Sequence, residues 1–383
     1  MTDEDLVYLL GNSHIDAAWL WRAEETVEVC RNTFRQALDL MHRYPGFTFA
    51  QSSAQFYLWM EEKYPGLFEE IKRRVKEGVW ELVGGAWVEV DPNIPSGESH
   101  VRQLLYGKRY FMDRFGVDVK VAWLPDSFGF PWTLPQIYAK AGIKYFLTQK
   151  LNWNDAAAFP YYVFWWEAPD GSRVLAHQTV GSYSENVDKE RVMRQLRLLK
   201  RRQGIGDLLV LYGWGDHGGG PQPDMLERAM DLVEGRWPVK GRFSTALDYF
   251  RRLEELAAAG IPVVRDELYL QFHRGTYTTQ ARVKKYNRLG EALLETAEKL
   301  AVMAYLRGAS YPKERLNQAW RILLFNQFHD ILAGSSIPEV YEDAEKDFDE
   351  MFKMLYEVID DATGYIASRI DTQGPGRALI VFN

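Results

Sequence analysis

The sequence predicts a mixed α/β chain, a closed or nearly closed (β/α) barrel over residues 1–270 followed by a helical bundle over 271–372. Three observations carry this. Short apolar runs alternate with longer helical patterns through the first 270 residues, as parallel strands joined by helices do. Seven or so such units exceed what an ordinary open sheet needs. After about residue 279 the alternation stops, and three helical patterns follow one another without a strand.

In chain order, Leu6–Leu10 (LVYLL) reads as a buried strand. Residues 17–43 read as a helix, with Val27, Phe34, Leu38 and Met41 near helical spacing. Phe47–Ala50 is a strand, followed by helices over 54–63 and 65–77 and a strand over Val79–Val83. Ser96 can cap a helix over 97–115. Lys120–Leu124 is a strand, Leu134–Ala141 a short helix, and Tyr145–Thr148 continues the sheet. Residues 161–179 form a strand pair broken by the turn Pro169-Asp170-Gly171. A helix over 188–202 leads to the strand Leu208–Tyr212, and helices follow Pro223 and span 245–257. The bundle is expected as Gln280–Leu306, Arg315–Leu332 and Pro338–Ile370. The tail Ala378–Asn383 (ALIVFN) reverts to a strand pattern.

Composition limits the function classes. The chain has 383 residues, 46% of them hydrophobic, enough for a sizeable core and about two domains. Its 46 basic and 53 acidic residues leave a net charge of −7, which argues against a nucleic-acid partner. Cys30 is the sole cysteine, which excludes an internal disulfide framework and a Cys-based zinc finger and makes a reducing cytoplasm the expected compartment. No leader-like start and no run of 18 apolar residues is present, so no membrane partner is expected. Aromatic residues make up 14% of the chain. They can fill a core or face sugar rings, and composition does not choose between the two.

Three apolar strands end in ionisable motifs: LVYLL-GNSHIDAAW with His14 and Asp16, KVAWL-PDSFGF with Asp126, and LLVLY-GWGDHGGGP with Asp216. In a parallel barrel these strand ends open on one face, so distant carboxylates converge. His14 and Asp16, two apart in an extended segment, point the same way and can share an ion; a His/Asp set without Cys suits zinc or another borderline divalent metal. Taken alone, such a pair is more often a hydrogen-bonded turn than a ligand pair, and a turn or helix-cap role is common for an aspartate placed like Asp126. Five glycines between Gly213 and Gly220 predict close approach of backbone to a ligand around Asp216. Neither a GxxxxGK[ST] pattern nor a GxGxxG with its acidic partner downstream is present. His329 and Asp330 fall inside a predicted helix, where a histidine is more often structural than a ligand. Gln271–Tyr277 joins barrel to bundle and concentrates polar and aromatic side chains. His42, His100 and His177 are read as structural.

Together these blocks resemble glycoside hydrolase family 38, the zinc-dependent α-mannosidases. The matching residues are His14-Ile15-Asp16 with Trp19-Leu20-Trp21, Pro92 to Glu98, Trp123 to Gly129, Gly215 to Pro221, Phe272 to Tyr277, and Gln327 to Leu332 with Gly334-Ser335-Ser336. They run from one end of the chain to the other in the family's order. The resemblance implies a seven-stranded (β/α) barrel, a three-helix bundle, and a β-sandwich domain that would begin at 373–383 and lie beyond this chain. It implies zinc held by His14, Asp16, Asp126 and His329, with Asp126 also the catalytic nucleophile. Trp19 and Phe128 would face the sugar ring and Asp330 would bind a hydroxyl; His273, Arg274 and Tyr277 are assigned to substrate binding.

With Asp216 as general acid and base, the reaction would hydrolyse an α-mannoside with net retention. His217 stands where the family's loop has a glycine. Two other classes compete. One is a metal-dependent carbohydrate deacetylase, which needs no carboxylate nucleophile. The other is a non-catalytic sugar-binding fragment. Linkage preference and self-association are open, with a homo-oligomer allowed.

Overall fold

The computed structural model describes residues 5–156, 158–258 and 260–382. Strand β1 (Leu6–Asn12) is the hub of the first sheet. Strand β8 (Asp207–Tyr212) runs parallel along one edge of it from Leu6 to Gly11. The other edge is shared end to end: β9 (Lys240–Phe243) pairs with Leu6 to Leu9, and β2 (Phe49–Gln51) with Gly11 and Asn12. Strand β3 (Trp80–Leu82) extends the sheet beyond β2. The second sheet has the order β10 (Val263–Val264), β6 (Val163–Glu167), β7 (Arg173–Gln178), β5 (Tyr145–Thr148), β4 (Val121–Trp123). Only β6 and β7 pair antiparallel, across the turn expected at Pro169-Asp170-Gly171.

Where a closed or nearly closed seven-stranded barrel was expected, the described residues form a mixed α/β fold with two five-stranded sheets whose ladders do not join. At one seam the Gly84 N–H reaches the Val121 carbonyl at 2.8 Å. At the other, the bridge is the isolated pair Glu185 and Tyr212. At the first seam Gly84 and Gly85 take φ of 81° and 69°, which carries the chain out of extended geometry just past β3, so one bond forms and no ladder. Two strands were not anticipated. β9 (KGRF) is half polar, and β10 is only two residues long.

Helices α1 (Ala23–Arg43), α2 (Ala54–Lys63), α3 (Pro65–Lys76), α4 (Gly97–Phe115), α5 (Leu134–Lys140), α6 (Lys189–Gln203), α7 (Pro223–Val233) and α8 (Ala246–Ala257) pack around the sheets. The Ser96 hydroxyl accepts from the Ser99 N–H and caps α4 as expected. Helix α1 begins six residues later than the pattern implied, because 17–22 is spent on the loop that follows His14 and Asp16. Trp80, Trp87, Trp166 and Trp320 are fully buried, so these aromatic residues are core.

The helical region holds α9 (Ala281–Tyr305), α10 (Lys313–Asn326), a single turn α11 (His329–Leu332) and α12 (Pro338–Ala367). The expected helix over Arg315–Leu332 breaks at Phe328, which turns extended (φ −52°, ψ 142°). It breaks because Phe328 bridges antiparallel to Val90, and flanking bonds run from the Asp91 N–H to the Gln327 carbonyl (2.9 Å) and from the His329 N–H to the Glu89 carbonyl (3.2 Å). Residues 378–382 of the tail join no ladder, and Leu379 and Val381 are exposed; Asn383 lies outside the described residues.

Glycines separate packing from propensity. A Cβ on Gly107 in α4 would stand 2.4 Å from the Ala86 and Gly85 backbone, whereas one on Gly364 in α12 would meet nothing. Gly107→Ala is expected to destabilise by about 1–3 kcal/mol despite the gain in helix propensity, and Gly364→Ala to stabilise by up to ~1 kcal/mol, both read from urea unfolding midpoints.

Candidate active site

The strand ends bring the predicted ionisable residues together. His14 and Asp16 follow β1, Asp126 follows β4, and His329 opens α11. The His14 Nε2 lies 2.9 Å from Asp16 Oδ1. The His329 Nε2 lies 3.4 Å from Asp16 Oδ1, 3.7 Å from Asp126 Oδ2 and 3.6 Å from Asp330 Oδ2. All five side chains are buried.

The histidines are fixed from behind by Glu89. Its carbonyl lies 2.9 Å from the His329 Nδ1, and its carboxylate lies 3.0 Å from the His14 Nδ1 and accepts from the Ser52 hydroxyl. The Nδ1–H of His329 therefore faces a carbonyl, which leaves the buried Nε2 with no hydrogen-bond partner and aimed at three carboxylates. An imidazole held this way aims its Nε2 at the carboxylates, and on giving up its Nε2 proton it presents the lone pair a metal ligand needs. His14 with Asp126 and His329, and Asp16 with His329 and Asp330, each offer ligand atoms close enough for one ion. These donors fit a borderline divalent metal.

The electrostatics without an ion agree. Burial opposes charge on His14, but Glu89 and Asp16 outweigh it and raise its pKa well above the ordinary value. Burial likewise opposes charge on His329, yet Asp16 and Asp330 push it up to about 9. Burial, with Asp16 alongside, pushes Asp330 up to about 7 against the pull of His329. The cluster thus holds its carboxylates together with protons where a cation would serve.

Asp126 and Asp216 are joined through a residue that the sequence motifs did not flag. The Tyr183 hydroxyl lies 3.1 Å from Asp126 Oδ1 and 2.9 Å from Asp216 Oδ1, which places those two oxygens no more than about 6 Å apart. Burial and the two carboxylates hold the Tyr183 phenol far above its usual pKa, so it is neutral. Lys150 was also missed. It donates to Asp126 Oδ1 at 2.6 Å, is itself buried, and lies over the rings of Trp153 (4.1 Å) and Phe128 (5.2 Å). Tyr183 sits in a Gly-Ser-rich loop and Lys150 in a 3₁₀ turn, neither with a motif that marks it.

Asp216 rides on a loop closed by paired bonds between Trp214 and Gly220 (2.8 and 3.0 Å). Its own φ is +61°, a left-handed conformation that costs a non-glycine residue about 1–3 kcal/mol. The loop is anchored where its carbonyl accepts from the Asp16 N–H at 2.9 Å. The glycines serve packing more than a ligand: a Cβ on Gly213 would lie 2.2 Å from the Asn12 carbonyl, and one on Gly218 2.5 Å from Val29. His217 points away from the carboxylate pair, with Nε2 2.7 Å from Glu25 and its ring edge-on to Trp21 at 4.4 Å.

The remaining predicted contacts divide. Phe128 packs edge-on to His329 (5.6 Å) and against His273 (4.8 Å), so both border the cluster. Trp19 is partly exposed and packs on Trp21. Arg274 reaches only the Gln271 carbonyl at 3.2 Å, and Tyr277 lies exposed at the edge of the same segment; among the described residues neither contacts the cluster. His42 and His100 bond to backbone carbonyls, and His177 is buried beside the Tyr162 carbonyl, in structural roles.

An acid pair thus stands beside a His/Asp cluster on an α/β sheet assembly followed by helices. Family models bear on it directly: "Glycosyl hydrolases family 38 N-terminal domain" matches residues 5–272 and "Alpha mannosidase middle domain" matches 271–366. The chain belongs to glycosyl hydrolase family 38. It is 42% identical over 341 residues to human "Alpha-mannosidase 2C1", covering 88% of this chain and 33% of that protein. It is 40% identical over 365 residues to "Alpha-mannosidase G" of Dictyostelium discoideum, covering 95% and 34%. The chain thus spans about a third of the length of the curated relatives it matches. An α-mannosidase structure from Enterococcus faecalis shares its fold, with a TM-score of 0.85 at 24% identity over 96% of this chain and 43% of that one. No described helix is long and apolar enough to cross a membrane.

Protons held by His14 and His329 must leave when a metal binds. At pH 7 the binding of Zn2+ is expected to release protons, and apparent affinity to rise as pH approaches 9. Titration calorimetry in buffers of different ionisation enthalpy checks this, and a buffer-independent heat would contradict it.

Proposed function

We propose that this chain carries the catalytic centre of a retaining α-mannosidase that hydrolyses terminal α-mannosides through a covalent mannosyl-aspartate. The observation that carries the reading is the Asp126–Tyr183–Asp216 bridge beside His14, Asp16 and His329. A retaining glycosidase needs its carboxyl groups ~5–5.5 Å apart, an inverting one ~6.5–9.5 Å. The limit of about 6 Å set by Tyr183 favours the former. The relatives' printed names support the sugar class.

Lys150 and Tyr183 hold Asp126 by Oδ1 and turn Oδ2 toward the cluster. Asp126 attacks the anomeric carbon as the bond to the leaving oxygen breaks, and Asp216 gives that oxygen its proton. Asp216 then takes a proton from the water that displaces Asp126. The neutral Tyr183 has one proton to donate and can satisfy only one carboxylate. Zinc held by His14, Asp16, Asp126 and His329 would supply a Lewis-acid contact for vicinal sugar hydroxyls. Asp330 would accept from a hydroxyl, Trp19, Phe128 and His273 would wall the ring, and Arg274 and Tyr277 would meet the outer part of the substrate. Residues 1–270 would form the catalytic domain and 271–372 the helical one.

Hydrolysis of an activated α-mannoside followed by NMR is expected to give the α-anomer first. Asp126→Asn should lose activity by at least ~10³-fold, and a fluorosugar should label Asp126. Asp216→Asn should lose about 10²–10⁴-fold on an alkyl mannoside while sparing a dinitrophenyl mannoside. A β-anomer first product would sink the mechanism, acetate release from an acetylated sugar would favour the deacetylase, and bound metal without hydrolysis would favour a sugar-binding role.

A further inference from the structure

We infer that the cavity between α4 and the first turns of α10 binds an organic phosphate. The cavity holds about 350 Å3, and five cationic side chains reach it: Arg102, Arg109, Arg114, Lys313 and Arg321. Two of these are already neutralised. Arg102 makes paired 2.8 Å bonds to Glu298 and a 2.7 Å bond to Glu98, and Arg114 pairs with Glu61 at 2.6 Å. Arg109, Lys313 and Arg321 are exposed and make no ion pair among the described residues. Apart from Glu298, the only carboxylate in the lining is Asp113. In a chain of net charge −7, three uncompensated cations facing one concavity form a local anion-attracting field.

Arg321 is also preorganised. Its guanidinium lies 5.1 Å from the ring centroid of the buried Trp87, which orients its planar donors without engaging them. The volume falls within the ~300–1,000 Å3 range of small-molecule sites and is roomier than a bare oxyanion needs. The neutral body of the ligand would lie against Tyr106 and Tyr311, which line the same space. The cavity shares no residue with the cluster around Asp126, so this inference stands apart from the mannosidase reading.

Titration calorimetry of the full chain with glucose 6-phosphate and adenosine monophosphate tests it, with inorganic phosphate and glucose as controls at matched ionic strength. Saturable binding of at least one ester, several-fold tighter than inorganic phosphate and absent for glucose, is expected. Arg109→Ala and Lys313→Ala, at exposed positions, should each weaken it about tenfold, as loss of a charge-assisted hydrogen bond does, and Asp113→Asn should tighten it. No saturable binding of either ester, equal binding of inorganic phosphate, or affinities untouched by the variants would overturn the inference.

Discussion

Glu89 is the residue on which the geometry of the site depends. Its side chain stands behind His14, and its carbonyl accepts from both the backbone and the ring of His329. One residue thereby fixes two imidazoles from parts of the chain more than 300 residues apart. The pairing has a cost that the fold accepts: α10 ends early so that Phe328 can run extended beside Val90. Without that break, His329 would sit at a helical register set by α10 and not by the carboxylates it faces.

The loop carrying Asp216 follows the same logic. Its backbone bonds directly to Asp16, so the acid is indexed to the strand that carries the first His/Asp pair. Its glycines allow that closeness, while Asp216 itself takes the left-handed backbone conformation. Tyr183 then links Asp216 to Asp126 from the other sheet. Backbone contacts set the coarse positions of the carboxylates, and a neutral phenol and a buried lysine set the fine ones.

Much of this was legible in the sequence, because strand–helix alternation and the motifs at strand ends are local signals. His14, Asp16, Asp126 and Asp216 lie in such motifs and the structure gathers them, whereas His329 falls in a predicted helix and only the family resemblance marks it as a ligand. What was not legible depends on distant pairing. The helix break at Phe328 is imposed by residues 89–91, which no local periodicity reveals. Tyr183 and Lys150 are ordinary residue types that gain meaning only from what they touch. Strand β9 was hidden because its KGRF sequence has no apolar run, and the open seam past β3 follows from the left-handed turn at Gly84 and Gly85, which a strand pattern does not reveal.

Those open seams have a mechanical meaning. Asp16 and Asp216 belong to the first sheet, Asp126 and Lys150 to the second, and His329 to the helical region. The site is thus the joint at which the two sheets and the helical region meet, over one continuous hydrophobic core. Anything that occupies the joint binds all three at once and resists their drifting apart, by the mass-action linkage between ligation and folding. Because the two sheets and the helical region share that core, a rotation large enough to widen the joint would also disturb the packing beneath it, so an occupied joint braces the core as well as the site.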